Sequence, residues 1–194
     1  MEITAGIFLQ KDDGTEHRLV DYILDVAGQK GTGIWTSQAG MELKMPVPTI
    51  DMAVSMRAMS ELKKEREAAA EILAGPAQTL REDRKAFTDR LKNALYAAWI
   101  VTFSQGMALL RQASIHYDYS LNLETVTRIW RGGCIIRSAL LDTIMASFQK
   151  NPDLSNLLLD PELGGRVTER QSDLRHIIAT AAAWGITPRT PSEW

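Results

Sequence analysis

The stretch of sequence that decides the fold is residues 83–116, DRKAFTDRLKNALYAAWIVTFSQGMALLRQASIH. It contains no proline, and its single glycine, Gly106, is the one residue in it that strongly disfavours a helix. Apolar residues recur at three- and four-residue spacing, and in the middle of the stretch they occupy almost every side. The pattern predicts one central helix of more than about 25 residues that is buried on several faces.

Apolar spacing predicts further helices on the C-terminal side of this stretch. They cover about 123–130, about 134–149 and about 161–184. The first ends at a glycine pair, and the last ends at Gly185, since glycine commonly follows the last turn of a helix.

Three helical segments are predicted on the N-terminal side. Residues 18–27 place their apolar side chains on one face, and residues 35–44 form a short helix. A longer helix covers about 50–73, with Thr49 as its N-cap and Gly75 beyond its end.

The charged run at 61–67, ELKKERE, is interpreted as the solvated face of that longer helix. No segment alternates apolar and polar residues between turn residues, as a strand would. The predicted fold is therefore all-α, with residues 1–194 forming a single array of helices.

Composition excludes several classes of protein. The chain has 194 residues, of which 45% are hydrophobic and 24% charged, so it can build a sizeable core and is not disordered. Its 22 basic residues are matched by 24 acidic ones, which argues against a nucleic-acid partner. No apolar stretch is long enough to span a membrane, and no secretory signal is visible. A single cysteine, Cys134, favours a reducing, cytoplasmic location.

Searches for common catalytic and metal-binding patterns find little. His17, His116 and His176 are far apart in the sequence, and Cys134 has no neighbouring cysteine, so no metal site is predicted. Cys134 lies in an apolar stretch and is interpreted as a buried structural thiol. The sequence contains neither a Walker loop nor a dinucleotide-binding glycine motif.

The segment with unusual chemistry is residues 28–37, GQKGTGIWTS. Glycines allow the backbone to approach a ligand, while Lys30 supplies a positive charge and Thr32 a hydroxyl donor. A helix beginning at Thr36 or Ser37 would add an N-terminus that favours anions. The spacing alone favours a plain loop between two helices, with a solvated lysine, because glycine-rich loops commonly connect helices.

Arg57 is a second candidate. It lies on the helix whose apolar stripe includes Met52, Met56 and Met59. An arginine beside such a stripe extends to water, pairs with an acid or binds an anion, and the spacing does not choose among the three.

Long motifs make the sequence resemble one family. KGTG at 30–33 is followed by WTS at 35–37, and the motifs GCIIRS at 133–138 and NLLLDP at 156–161 occur further along. From about residue 3 to about residue 188, the chain resembles the helical domain of decarboxylating 6-phosphogluconate dehydrogenases.

The resemblance implies NADP-dependent oxidative decarboxylation of 6-phosphogluconate to ribulose 5-phosphate, in the pentose phosphate pathway. It also implies that Lys30, Thr32 and Arg57 bind the sugar phosphate, which suits their charge and donors. The family often has a second lysine after KGTG, whereas this chain has Ile34. That difference removes one positive charge beside the predicted phosphate site.

The resemblance further implies that other parts of the family's enzymes lie outside these residues. The Rossmann-type NADP domain, the general base and the general acid precede the matched region, and a tail that reaches the partner subunit follows it. We therefore expect a substrate and dimerisation domain with no catalytic residue and no NADP bound by the chain alone. In isolation it is expected to be inactive and to bind phosphate weakly, and to form a homodimer held mainly by its long apolar helices.

Two alternatives belong to other functional classes. The chain could be a free-standing, non-catalytic helical module for self-association, which would explain its apolar helices and methionines. It could also be a divergent enzyme whose acid or base is among Glu61, Glu65, Asp83 and Asp89. Those acids lie in charged, solvated stretches, which seldom shift a pKa as catalysis requires.

Overall fold

Eight α-helices run through residues 2–73, 75 and 82–185, the part of the chain that the computed structural model describes. In chain order they are α1 (Glu2–Leu9), α2 (Thr32–Glu42), α3 (Pro48–Glu61), α4 (Lys63–Ile72), α5 (Arg84–His116), α6 (Leu123–Trp130), α7 (Leu140–Lys150) and α8 (Pro161–Ala183). These residues include no strand, only an isolated bridge between Lys11 and Arg18. The all-α prediction is confirmed.

Helix α5 is the spine of the fold. It is 33 residues long, and its N-cap Asp83 accepts a hydrogen bond from the Ala86 amide at 2.9 Å. At about 1.5 Å per residue it spans roughly 50 Å. The predicted long central helix is confirmed. Its buried positions are Ala94, Ala97, Ile100, Ser104, Met107, Ala108 and Leu109.

The main hydrophobic core lies where α5 meets the C-terminal helices. Its members combine apolar side chains from α5, α6, α7 and α8 with two from the segment between α7 and α8, and burying them supplies most of the driving force for folding. They are Ile100, Met107, Leu123, Leu140, Leu141, Ile144, Phe148, Leu154, Leu157 and Leu163.

The first turn of α8 packs unusually close to the segment before it. Asp160 caps the helix, accepting hydrogen bonds from the Glu162 and Leu163 amides at 3.0 Å each. A Cβ atom on Gly164 would lie only 2.6 Å from the carbonyl oxygen of Leu158. This position therefore requires glycine for close approach rather than for a special backbone angle.

Helices α2 and α3 pack against the C-terminal half of α5, beside the main core. Leu43 and Val47, at the turn between α2 and α3, form a small core with Leu109 of α5. Two side-chain hydrogen bonds join the start of α3 to α5: the Thr49 amide donates to Gln105 Oε1 at 3.0 Å, and Gln105 Nε2 donates to Thr49 Oγ1 at 2.8 Å. The position of α3 is thus set by the spine.

Several predicted helices occur where expected. Helix α6 spans 123–130 as predicted, and α8 covers nearly all of 161–184. Helix α2 includes most of 35–44 but starts three residues earlier. Gly185, after the end of α8, has a φ of 70°, the left-handed conformation expected of a glycine there.

The prediction of one helix over 50–73 is wrong in two respects. The segment is two helices separated at Leu62, whose φ of -82° and ψ of 44° leave the helical region. Thr49 is not the N-cap either, because α3 begins at Pro48 after Val47. Proline suits the first helical position, since its missing N–H is not needed there, and Thr49 is instead bonded to Gln105.

The helix predicted over 18–27 is also wrong. Only Leu19–Tyr22 forms a single 3-10 turn, and Ile23 beyond it is 61% exposed. Leu19 and Tyr22 are also exposed, at 42% and 55%, and an isolated helix of this length is unstable when its apolar face is not packed. Side chains of α3 and α4 bind the backbone that follows this turn, as described below.

The helix predicted over 134–149 begins later than expected. It starts at Leu140, whose amide donates a hydrogen bond to Ser138 Oγ at 3.0 Å. A local side-chain hydrogen bond therefore precedes the helix. Residues 134–139 are not helical. Cys134 is half-buried rather than buried, and Ile135 is 99% exposed.

Candidate functional site

The glycine-rich loop turns into α2 earlier than the sequence suggested. Gly31 is the N-cap residue and has a φ of 92°, a left-handed conformation that favours glycine. Thr32 is therefore the first residue of the helix, and the predicted start at Thr36 or Ser37 is wrong. The indole of Trp35 lies against Gly31 and remains 65% exposed.

Arg57 is bonded to this loop. Its Nη2 donates a hydrogen bond of 2.7 Å to the carbonyl oxygen of Gly28, two residues before Lys30. The spacing left three possibilities open for this side chain, and the structure adds another, because the guanidinium binds a backbone carbonyl. Its other N–H groups form no ion pair with a described residue, and neither does Lys30.

Ser60 connects the loop to the helix that carries Arg57. Its hydroxyl accepts a hydrogen bond from the Ala27 amide at 2.9 Å and donates one to the carbonyl oxygen of Arg57 at 2.7 Å. Ser60 is 7% exposed, so these bonds compete little with water. Residues 27 and 28 are therefore held directly against the last turns of α3.

An ionic cluster anchors the chain just before that point. The Asp25 carboxylate pairs with Lys63 Nζ and, at 2.8 Å, with Arg66 Nη1. Hydrogen bonds from Lys63 and then Arg66 lower the pKa of Asp25 from its usual 3.8 to about 2. Because the folded pKa is the lower one, the cluster stabilises the fold fully above about pH 4 and loses this effect as the pH falls toward 2.

The cluster shows that the charged run at 61–67 is not simply a solvated face. Arg66 is only 5% exposed. Its guanidinium also donates to the carbonyl oxygens of Ser60 at 3.0 Å and of Asp25 at 3.3 Å. A sequence signal existed, because Arg66 lies four residues after Leu62 and seven after Met59, on the apolar stripe, where an arginine needs partners.

The three predicted phosphate ligands lie on or beside the glycine-rich loop. Lys30 lies in the loop and Thr32 at the start of α2, while Arg57 reaches the loop through Gly28. All three side chains are exposed, and Ile34 in the first turn of α2 is 38% exposed. The arrangement can offer a cation, a hydroxyl and a second cation to an anion.

The other acids considered from the sequence have structural roles or are exposed. Asp83 caps α5, and Asp89 pairs with Lys85, whose hydrogen bond lowers the pKa of Asp89. A general acid would need the opposite shift. Glu61 and Glu65 are both exposed.

The histidines also lack the features of a site. His176 lies 3.0 Å from Glu82, and His17 and His116 are exposed. Within the described residues, no group of three potential ligands could hold a metal ion. No described helix is long and apolar enough to cross a membrane.

A cavity of about 710 Å³ lies away from the loop, between the end of α5, the start of α6 and the end of α7. Arg111, Asn122, Glu124 and Gln149 are among its polar lining residues, and Phe148 contributes to its apolar part. None of the predicted phosphate ligands lines it. Sequence reasoning did not anticipate this cavity.

Comparison with known proteins gives consistent matches across the chain. Residues 1–192 match the family model described as 6-phosphogluconate dehydrogenase, C-terminal domain. The decarboxylating 6-phosphogluconate dehydrogenase of a Synechocystis strain is 47% identical over 186 residues, covering 96% of this chain and 39% of that protein. A Spinacia oleracea enzyme of the same name is 45% identical over 192 residues, covering 96% and 40%.

A solved structure matches equally well. It belongs to Plasmodium falciparum 6-phosphogluconate dehydrogenase, determined in its apo form, with its cofactor NADP+ and with its substrate 6-phosphogluconate. The TM-score is 0.91 at 40% identity, covering 97% of this chain and 41% of that one. The chain thus spans about two fifths of the length of these relatives.

Proposed function

The chain belongs to the 6-phosphogluconate dehydrogenase family, whose C-terminal domain it matches, and from this premise we propose that it binds the phosphate group of 6-phosphogluconate. In the whole enzyme, the proposed reaction is NADP-dependent oxidative decarboxylation to ribulose 5-phosphate, a step of the pentose phosphate pathway. The proposed location is cytoplasmic, on the strength of the single thiol.

The contact between Arg57 and Gly28 carries the proposal most directly. It keeps a guanidinium beside a loop that already contains Lys30, and a phosphate dianion would relieve the repulsion between the two cations. Thr32, at the first position of an 11-residue helix, adds a hydroxyl and lies among backbone N–H groups that favour an anion. Lys30, Thr32 and Arg57 are therefore the proposed phosphate ligands.

The described residues do not fit a dinucleotide. They contain no strand leading into a glycine-rich turn and helix, the unit that binds a pyrophosphate in Rossmann-type domains. NADP binding and hydride transfer are therefore proposed for the whole enzyme and not for these residues. What these residues do is bind and orient the end of the substrate that carries the phosphate.

Calorimetry on the purified chain tests the phosphate proposal. We expect 6-phosphogluconate to bind at least about tenfold more tightly than gluconate, because only the phosphorylated ligand makes the charge-assisted hydrogen bonds. Gluconate is the matched control, since it differs only in lacking the phosphate. Equal affinities for the two ligands would contradict the proposal.

Self-association is the second part of the proposed function. Large apolar side chains are exposed on α2 and α3, including Met41 at 75% and Met52 at 52%. Exposed apolar surface of this kind is typical of a protein interface. We propose that a second copy of the chain covers it, which agrees with a homodimer.

Sedimentation at micromolar concentration tests the dimer. The expected mass is twice the 21.6 kDa of one chain. A mass of 21.6 kDa throughout that range would contradict it. The alternative of a non-catalytic self-association module differs from the main proposal in one result: it predicts the dimer without binding of 6-phosphogluconate.

A further inference from the structure

We propose that Asp25, Ser60, Lys63 and Arg66 are positioning residues that hold the glycine-rich loop against Arg57 and so align the phosphate ligands. The inference rests on the proposed function, because the site that is aligned is the one that binds the phosphate. None of the four residues is assigned contact with the ligand. Together they are called the latch below.

The loop has little other means of support. The 3-10 turn ends at Tyr22 and α2 begins at Thr32. Residues 24–30 form no backbone–backbone hydrogen bond with any described residue. Their backbone is held instead by side chains of α3 and α4, through Asp25, Ala27 and Gly28.

The latch and the phosphate ligands share a closed circuit of hydrogen bonds. The Ala27 amide donates to Ser60 Oγ, which in turn donates to the carbonyl oxygen of Arg57. Arg57 Nη2 then returns to the loop at the Gly28 carbonyl. Movement of residues 25–27 would therefore displace the acceptor that orients the Arg57 guanidinium.

The break between α3 and α4 allows the latch to form. It falls at Leu62, directly before Lys63, and it leaves the carbonyl oxygen of Ser60 without a continuing helix. Arg66 binds that oxygen and Asp25 with one guanidinium. The same side chain thus satisfies the end of α3 and anchors the loop.

The latch and the phosphate site contain different charged groups. Asp25 is engaged by Lys63 and Arg66, so its carboxylate is committed to those two cations. Arg57 and Lys30 form no ion pair with a described residue. The latch therefore uses the only acid of the segment 22–30 without placing it in competition with the phosphate.

Asp25→Asn and Ser60→Ala in the full chain test the inference by two different routes. Asp25→Asn removes the charge that binds Lys63 and Arg66, and Ser60→Ala removes the acceptor of the Ala27 amide. Each should weaken binding of 6-phosphogluconate by about tenfold, since small misplacements of ligand groups have effects of this size. Hydrogen exchange at Ala27 should become faster in both variants.

Controls separate positioning from general stability. Glu67→Gln removes the other carboxylate that pairs with Lys63, at 3.2 Å, but it does not touch the loop and should leave the affinity within about twofold. Asp25→Glu should restore part of the affinity, since it keeps the charge. All affinities are measured well below each variant's unfolding temperature, where a purely structural role would not change them.

The outcomes are distinct. Faster exchange at Ala27 together with weaker binding supports the inference, and wild-type affinity in either Asp25→Asn or Ser60→Ala overturns it. If the unmodified chain does not distinguish 6-phosphogluconate from gluconate, the proposed function fails. Exchange at Ala27 would then still decide whether the latch holds the loop, and unchanged exchange would overturn that as well.

Discussion

Replacing Arg57 with alanine is expected to weaken binding of 6-phosphogluconate by about 10- to 100-fold, because hydrogen bonds to charged groups contribute about 1.5–3 kcal/mol each. The variant loses the guanidinium that would bind the phosphate. It also loses the hydrogen bond to the Gly28 carbonyl that ties α3 to the loop. Both losses act in the same direction, and calorimetry with the purified chain measures their sum.

Two further variants show whether shape or charge matters at this position. Arg57→Lys keeps the positive charge but not the planar fork, so its affinity should fall between those of the wild type and Arg57→Ala. Lys64→Ala removes an exposed positive charge on α4, outside the loop, and should leave the affinity unchanged. Arg57→Ala with wild-type affinity, or a loss in Lys64→Ala equal to that in Arg57→Ala, would contradict the assignment of Arg57.

Gly164→Ala should lower the stability of the chain strongly, although it adds only one methyl group. The new Cβ would lie 2.6 Å from the Leu158 carbonyl oxygen, which is backbone and cannot rotate away. Forcing apart the first turn of α8 and the preceding segment should cost about 2–3 kcal/mol in free energy of unfolding. For a domain of this size, the unfolding temperature should fall by about 4–12 °C.

The neighbouring glycine provides a matched control. A Cβ on Gly165 would meet nothing within 4 Å, although the residue lies in the same turn of α8. Gly165→Ala should therefore leave stability unchanged or raise it by up to about 1 kcal/mol, because alanine is the better helix former. Thermal unfolding followed by circular dichroism compares the two, and equal unfolding temperatures would refute the close approach at Gly164.

The helices that could be predicted from the sequence are those whose own residues carry a clear apolar pattern or N-cap. Residues 84–116 carry a long apolar pattern with few helix breakers, so propensity and burial agree. Helices α6 and α8 have clear N-caps in Asn122 and Asp160, whose side chains accept amide hydrogen bonds. In these cases local preference and tertiary packing favour the same structure.

The predictions that failed involve residues whose partners are distant in the sequence. The apolar spacing of 18–27 fits a helix, yet Asp25 is bound by residues 38 and 41 positions later. Period alone cannot reveal such partners, because it describes one segment at a time. The same contacts explain the unexpected break at Leu62, since Arg66 binds the end of α3 and the loop together.

The candidate ligands Lys30, Thr32 and Arg57 were identified by residue type and by resemblance, not by spacing. Glycine-rich composition indicated that the loop could approach an anion, but on spacing alone a plain connecting loop was favoured. That Arg57 contacts the loop could not be derived from a separation of 27 residues. The charged run at 61–67 was misread because solvent is the usual environment of such a pattern, whereas Arg66 is buried.

The contact between Trp35 and Gly31 gives the loop an intrinsic fluorophore. The indole lies 3.6 Å from the position that a Cβ on Gly31 would take, where the loop becomes helix, and it remains open to solvent. Indole emission depends on the polarity and charge around the ring, so a dianion arriving at Lys30 and Thr32 would alter it. Occupancy of the loop can therefore be followed optically without a label, and Trp35→Phe identifies the part of the signal that comes from this ring among the five tryptophans of the chain.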